Sequence, residues 1–325
     1  MVCLDRRRLL ICAAGAGIAH RAGAQPAPYP SRPLKLLVGF AAGGAVDIIA
    51  RAIGQQLGPA LGQPIVVENR PGAGTNIAMR ALIESAPDGH TLMLTANSIA
   101  ANQTLYQPQP FDMARDFTPI ALVGRVPVVL AANPQSPIDS IAKLIAAGKA
   151  APDSVGYGSP GNGSTPHLAT ELFARAAGIS LNHIPYKGGA PAINDVLAGH
   201  VSLVAVNALE VQAHVRAGKL RVLATLGQAR SPLFPEVPTI AESGFPGFEA
   251  SVWYGLVGPA GMPAAIVSRL HGEVQKALAS PELRERLAGA GGEVLPGPVA
   301  RFTALLTSER ARYDKLIREA HIRPD

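Results

Sequence analysis

From Pro33 onward the chain alternates short, almost wholly apolar runs with longer stretches of helical periodicity, and Gly, Pro, Asn and Ser collect at the junctions. Apolar runs without in/out alternation are strands buried on both faces, and such strands separated by helices build mostly parallel sheets covered on each side. The first series reads as strand 34–40, helix 46–61, strand 64–68, helix 76–85 and strand 91–95. A second reads as strand 126–131, helix 136–150, strand 154–157, helix 165–177, strand 181–184, helix 189–198, strand 203–206, helix 211–217 and strand 220–225. Between the two series, Pro127, Asn133-Pro134 and Ser136-Pro137 punctuate the chain as it leaves one lobe for another. After Pro232 come a Pro-rich stretch, one apolar run at 251–257, and then only helices at 264–279, 281–290 and 298–319. A lone strand followed by helices makes no α/β domain of its own, so this segment reads as a return crossing whose helices pack on the first lobe. The expected fold is α/β with two lobes, each a mostly parallel sheet flanked by helices, joined by two crossing strands over a cleft. Residues 25–126 with 251–325 are expected to form lobe 1, and 127–250 lobe 2.

The N-terminus sets the compartment. Arg6-Arg7-Arg8 precedes an apolar run at 9–19, and Ala22-Gly23-Ala24 offers a small-x-small cleavage site, so residues 1–24 read as an export signal and the protein as exported. The run is too short to span a bilayer. The arginines with Leu9-Leu10 also resemble a twin-arginine signal, with Asp5 where that pattern prefers a hydroxyl, which leaves the export route open. Cys12 follows Leu9-Leu10-Ile11 rather than a small residue, which argues against lipid attachment. Cys3 and Cys12 are the only cysteines, so the mature chain has no disulfide and no thiolate site.

The formal charge of +6 includes four arginines and one aspartate of that leader, which leaves +3 for the mature chain. With aromatic residues at 5% and no basic cluster interleaved with them, a nucleic-acid partner is excluded. A mildly basic surface favours anionic solutes without selecting them.

Ligands of open α/β sheets bind beyond the carboxyl ends of the strands, where helix N-termini present unpaired N–H groups. Three glycine-rich turns run from a strand into a helix. They are Phe40-Ala41-Ala42-Gly43-Gly44-Ala45-Val46-Asp47, the stretch Gly156 to His167, and Pro185-Tyr186-Lys187-Gly188-Gly189-Ala190-Pro191. Any one alone is satisfied as an ordinary turn. One from the first lobe and two from the second form the clamp a receptor needs. Asp47 either contacts ligand or caps the first helix, Lys187 either pairs with an anion or is solvated, and His167, at a helix start, reads as a local hydrogen-bonding group.

Catalytic and cofactor chemistry lack a comparable trace. Gly156-x-Gly158-x-x-Gly161 matches a dinucleotide fingerprint only formally, because Pro160 interrupts the helix start and no acidic residue ends the next strand. There is no Walker loop, no Gly-x-Ser-x-Gly elbow and no His-Glu-x-x-His. His167 and Glu171 are two potential ligands without a third, and Ser159, Ser164 and His183 are not assembled into a hydrolase by spacing alone. No enzymatic activity, cofactor or metal is expected.

The same loops and their neighbours resemble the substrate-binding receptors of tripartite tricarboxylate transporters, the Bug family. The likeness is carried by Gly-Gly-Ala-Val-Asp at 43–47, Val-Glu-Asn-Arg-Pro-Gly-Ala-Gly at 67–74 and Ala-Pro-Asp-Gly-His-Thr-Leu at 86–92. It continues through Pro-Tyr-Lys-Gly-Gly-Ala-Pro-Ala at 185–192, Ala-Gly-Lys-Leu-Arg-Val-Leu-Ala at 217–224 and Trp-Tyr-Gly-Leu-Val-Gly-Pro-Ala-Gly at 253–261. The resemblance implies a type II periplasmic binding-protein fold that closes on a small carboxylate and delivers it to inner-membrane transporter subunits, as a monomer. It points to Phe40, Ala42, Gly43, Gly44, Ala45 and Asp47 for the carboxylate, and to Ser159, Gly161, Ser164, Thr165, His167, Tyr186, Lys187 and Gly188 for the rest of the ligand. It adds Asn97, expected to face the same cleft. A receptor that signals to a sensor protein is the alternative from another class, and a hydrolase on the same fold a distant third. The chain departs from the family at Ala42 and Ala45, often Pro, at Pro166, where a small residue is usual, and at Val206, often Asp. Losing that acidic group argues against amine-bearing ligands, because a buried ammonium needs a partner.

Overall fold

The computed structural model describes residues 29–324; the leader, with its cleavage site and both cysteines, lies outside them. The elements run β1 (Leu34–Val38), α1 (Ala45–Leu61), β2 (Ile65–Asn69), α2 (Asn76–Ile83), β3 (Thr91–Ala96), α3 (Ser98–Leu105) and β4 (Phe117–Ala132). Then follow α4 (Ile141–Ala150), β5 (Gly156–Ser159), α5 (Thr165–Ala177), β6 (Asn182–Pro185), α6 (Gly189–Leu197), β7 (Leu203–Asn207), α7 (Ala208–Arg216) and β8 (Arg221–Thr225). The chain closes with β9 (Ser251–Pro259), α8 (Ala264–Ala279), α9 (Pro281–Gly289), β10 (Glu293–Val294) and α10 (Val299–Glu319).

Two sheets share one strand. The first has the order β2-β1-β3-β9-β4 and the second β4-β7-β5-β6, while β10 and β8 add to β4. Pairing is parallel where strands are linked through helices, β1 with β2 and β3, and β5 with β6 and β7. It is antiparallel around the shared strand. β4 pairs with β9 down to Pro127, opposite Ser251, and from Val128 onward with β7. The chain returns to that junction from the second sheet through Ala250, whose N–H donates to Leu226 O at 2.7 Å.

The strands read as unbroken apolar runs because both faces are covered. Along β1, Leu34, Leu36 and Val38 face α1, while Leu37 faces the opposite layer with Met79, Met93 and Phe302. Along β7, Leu203 and Ala205 turn to one core and Val204 and Val206 to another. α1 presents Val46, Ile49, Ala50, Ile53, Leu57 and Leu61 as a single buried stripe and stops at Gly62, which takes the left-handed conformation at φ 71°. The C-terminal helices pack beside the first sheet, α8 against α1 and α10 against α3 and β4. Gly255 of β9 lies directly under Phe302 of α10: a Cβ there would come within 2.1 Å of the ring.

Three elements escape the sequence pattern, one of them the two-residue β10, which interrupts the expected run of C-terminal helices. α3 is buried nearly all round, so Ser98, Asn102 and Gln103 interrupt any apolar stripe. The first half of β4 carries Pro119 and Gly124, which read as breaks. The strand instead absorbs them with register shifts between Pro119 and Ala121 and between Leu122 and Gly124.

Candidate functional site

The first glycine-rich turn leaves β1 and enters α1 at the carboxyl edge of the first sheet. Gly43 sits at φ 83°, and its N–H donates to Asp47 Oδ2 at 3.0 Å. Asp47 also accepts from Arg51 at 2.9 and 3.0 Å and from Asn69 Nδ2 at 3.0 Å, and the same amide donates to Phe40 O at 3.0 Å. Burial would raise the Asp47 carboxyl, but the Arg51, Gly43 and Asn69 hydrogen bonds outweigh it and hold the group below the ordinary carboxylate range. Asp47 therefore ties down the turn from behind. The first intrahelical bond runs from Ile48 N–H to Gly44 O, so the N–H groups of Ala45, Val46 and Asp47 precede it at the positive end of the helix.

The second turn joins β5 to α5. Ser164 caps α5 by accepting from His167 N–H at 3.4 Å, and Pro166 occupies the first turn, where a missing N–H breaks no helical bond. With Pro166 lacking a donor and His167 capped, this terminus offers a ligand the Thr165 N–H and the hydroxyls. Gly163, at φ 70°, donates to His167 Nδ1 at 3.1 Å. His167 stacks on His183 with centroids 3.8 Å apart, and His183 Nε2 meets Ser159 Oγ at 2.6 Å. Burial, reinforced by the His183 charge, holds His167 well below the usual imidazole range, and burial pushes His183 down to about 4. Both rings are thus neutral near pH 7.

These turns close on a cavity of about 310 Å³. Phe40, the 41–46 segment, Ala96 and Val252 wall it from the first sheet's side; Pro160, Ser164, Thr165, Pro166 and the 187–191 turn wall it from the second. Of the expected residues, the structure brings Phe40, Ala42, Gly43, Gly44, Ala45, Ser164, Thr165, Lys187 and Gly188 onto this lining. Asp47, Ser159, Gly161, His167 and Tyr186 stand behind it. Ser159 Oγ accepts the Gly161 N–H at 3.2 Å, and the Tyr186 hydroxyl donates to Asp195.

Asn97 is corrected outright. It is 1% exposed and turned away from the cleft: Nδ2 lies within 2.8 Å of Glu309 Oε2, 2.9 Å of Tyr313 OH and 3.1 Å of Ser251 O, while Oδ1 accepts the Trp253 N–H. Its neighbour Ala96 takes the place on the lining.

The cleft also holds residues the sequence reading passed over, namely Asn194, Asn207, Glu210 and His214. Glu210 Oε1 accepts from Asn207 Nδ2 at 2.7 Å and from Asn207 N–H at 3.4 Å, pinning the start of α7. Burial raises its carboxyl, although the Asn207 hydrogen bonds pull the other way. Val206 leaves the family's acidic position without a carboxylate, and Glu210, from the next element, puts one on the same lining. The signal was present as Asn207-x-x-Glu210 directly after an apolar strand, a fourth strand-to-helix junction without glycine.

Among the described residues no group of three or more His, Cys, Asp or Glu side chains is placed to hold a metal, and no helix is long and apolar enough to cross a membrane.

Comparison with known proteins places this geometry in context. The family model described as tripartite tricarboxylate transporter family receptor matches residues 49–322. Protein BugT of Bordetella pertussis is 39% identical over 308 residues, covering 94% of each chain. Rpa4515 of R. palustris, solved with adipate, superposes with a TM-score of 0.86 at 35% identity, covering 91% of this chain and 100% of that one. MatC from Rhodopseudomonas palustris, solved with bound malate, gives a TM-score of 0.83 at 30% identity over 89% of this chain and 100% of that one.

Proposed function

The chain belongs to the tripartite tricarboxylate transporter family of receptors, and we propose that it captures a small carboxylate in the cleft between its lobes and presents it to inner-membrane transporter subunits. The observation that carries this reading is the Phe40–Asp47 turn. The first turn of α1, with Ala45 and Val46 on the lining, borders a 310 Å³ cavity, and Asp47 fixes the turn from behind it. A carboxylate seated there receives hydrogen bonds from preorganised backbone and the favourable end of the helix dipole, with no side chain to order on binding. Adipate and malate in the two structural relatives agree with a ligand of this size and charge. Closure of the second lobe, with Ser164, Thr165 and Lys187 on its wall, completes the enclosure. The leader places the receptor in the periplasm, and it acts as a monomer without cofactor and without turning its ligand over.

The test is a thermal-shift screen of the mature protein, refolded from denaturant to strip carried-over ligand, against mono-, di- and tricarboxylates. A ligand at 100 times its Kd stabilises the native state by about 2.7 kcal/mol, enough to move the midpoint visibly. A shift confined to carboxylates supports the reading. A set of flat curves sinks it.

A further inference from the structure

We propose that Arg125 is a positioning residue for the binding cleft: from behind the junction of the two sheets it holds the lobes at the angle that closes the cavity, and so raises ligand affinity without touching ligand. This rests on the carboxylate reading above and adds to it what sets the lobe angle. β4 and β9 run side by side through the junction, with Arg125 opposite Trp253, Val126 opposite Val252 and Pro127 opposite Ser251. Side chains alternate between the two faces of such a ribbon. Val252 lines the ligand cavity, whereas Arg125, Pro127 and Ser251 line a second groove of about 220 Å³. The groove and the cavity therefore lie on opposite faces of the ribbon that joins the lobes.

The Arg125 guanidinium is shared by three chain segments that meet in this groove. Nε donates to Glu293 Oε1 at 2.6 Å, on β10 at the first sheet's side. Nη1 donates to Glu249 Oε1 at 2.8 Å, on the segment returning to β9, and Nη2 donates to Gln228 Oε1 at 3.1 Å, just past β8 of the second sheet. Glu249 is gripped again through its carbonyl, which accepts from Arg312 of α10. Next to this fork the two sides touch: Gly291, left-handed at φ 75°, makes room for Ser231 and Leu233, whose side chains a Cβ there would approach to 2.8 and 3.1 Å. A planar guanidinium serves several acceptors in fixed directions, which the point charge of a lysine does not.

Turning the second sheet about the ribbon changes its two faces in opposite senses. Opening the cleft narrows the groove behind it and carries Gln228 away from its place relative to Glu293, so the acceptors no longer fit one fork. With all three engaged, both walls line a single cavity and the second turn reaches across to α3, where a Cβ on Gly163 would stand 2.4 Å from Leu105 Cδ2. Arg125 therefore favours the closed arrangement before ligand arrives. A ligand held between both walls needs that arrangement, and its apparent Kd is the intrinsic Kd divided by the fraction of molecules already in it. Arg125 and Glu249 are half-buried while Gln228 and Glu293 are exposed, so the fork biases the equilibrium several-fold rather than by orders of magnitude.

Small-angle X-ray scattering and calorimetric titration of the refolded mature protein test this, with adipate and malate as probes. Gln228→Ala removes the second-sheet arm alone, Arg125→Ala removes the whole fork, and Arg125→Lys keeps the charge without the fork. Both alanine variants, free of ligand, are expected to show a larger radius of gyration than the ligand-free wild type, and saturating probe should bring all of them to one value. A probe that binds the wild type should bind the alanine variants about fivefold more weakly, with Arg125→Lys in between. Equal ligand-free radii in the wild type and the folded variants overturn the proposal, and so does an expanded variant that keeps wild-type affinity. A wild type that binds neither probe counts against the carboxylate reading alone, because scattering by the ligand-free proteins still decides the role of Arg125.

Discussion

Asn97 Oδ1 accepts the backbone N–H of Trp253 at 2.9 Å, joining the end of β3 to β9 across 156 residues of sequence. The other side of the same amide reaches Glu309 and Tyr313 of α10, so one buried side chain ties two sheet strands to the C-terminal helix. Truncation would strand the Trp253 N–H and take one donor from the buried Glu309 carboxylate, which keeps Trp253 Nε1 and Arg312. Asn97→Ala is expected to lower unfolding free energy by about 2–4 kcal/mol, measured in urea, while the folded fraction keeps its ligand affinity within about threefold. A loss of affinity with full stability would return Asn97 to the cleft.

Asp47 acts on the ligand through the backbone. Without it the Gly43 N–H, the Asn69 amide and Arg51 lose their common acceptor, and the 40–44 turn is free to move. Asp47→Ala should weaken carboxylate binding by about tenfold, or ~1.4 kcal/mol, in calorimetric titration. Arg51→Ala should cost less than about 1 kcal/mol of stability, because that guanidinium is half exposed. Equal affinities for wild type and Asp47→Ala would show that the turn holds itself.

The stacked imidazoles set a pH window. Their folded pKa values lie below the unfolded value of about 6.5, so the unfolded chain binds more protons and stability falls as pH drops from there toward about 4. For His183 the loss amounts to about 2–3 kcal/mol. Thermal midpoints between pH 7 and 4 should fall more steeply for the wild type than for His183→Gln. Asp47, whose pKa is lowered, contributes its loss only below about 3.8, outside that window. Parallel slopes in the two proteins would count against the burial of these rings.

How much of this was legible depends on how each element announces itself. α5 and α8 fall at 165–177 and 264–279 in both sequence and structure. Ser164 and Gly178 bracket the first and Pro263 precedes the second, so local chemistry marks their ends. α3 was hidden because a helix buried on all sides has no stripe, and the start of β4 because Pro119 and Gly124 look like loop until a partner strand accommodates the bulges. In the site, glycine located three turns but not what lies behind them. Whether Asp47 faces ligand or its own loop is decided by Asn69, 22 residues away, and the position of Glu210 depends on α7 swinging its first turn into the cleft.

Among the described residues β4 is the one strand common to both sheets, and the handover from β9 to β7 falls at Pro127 and Val128. Proline has no N–H to give a ladder, so the hydrogen-bonded ribbon is thinnest at the step where its partners change. A continuous strand resists stretching and shearing but yields to twist. The two halves are joined there by β4 and by the returning segment at Ala250, and twist about β4 is the deformation this junction is expected to resist least.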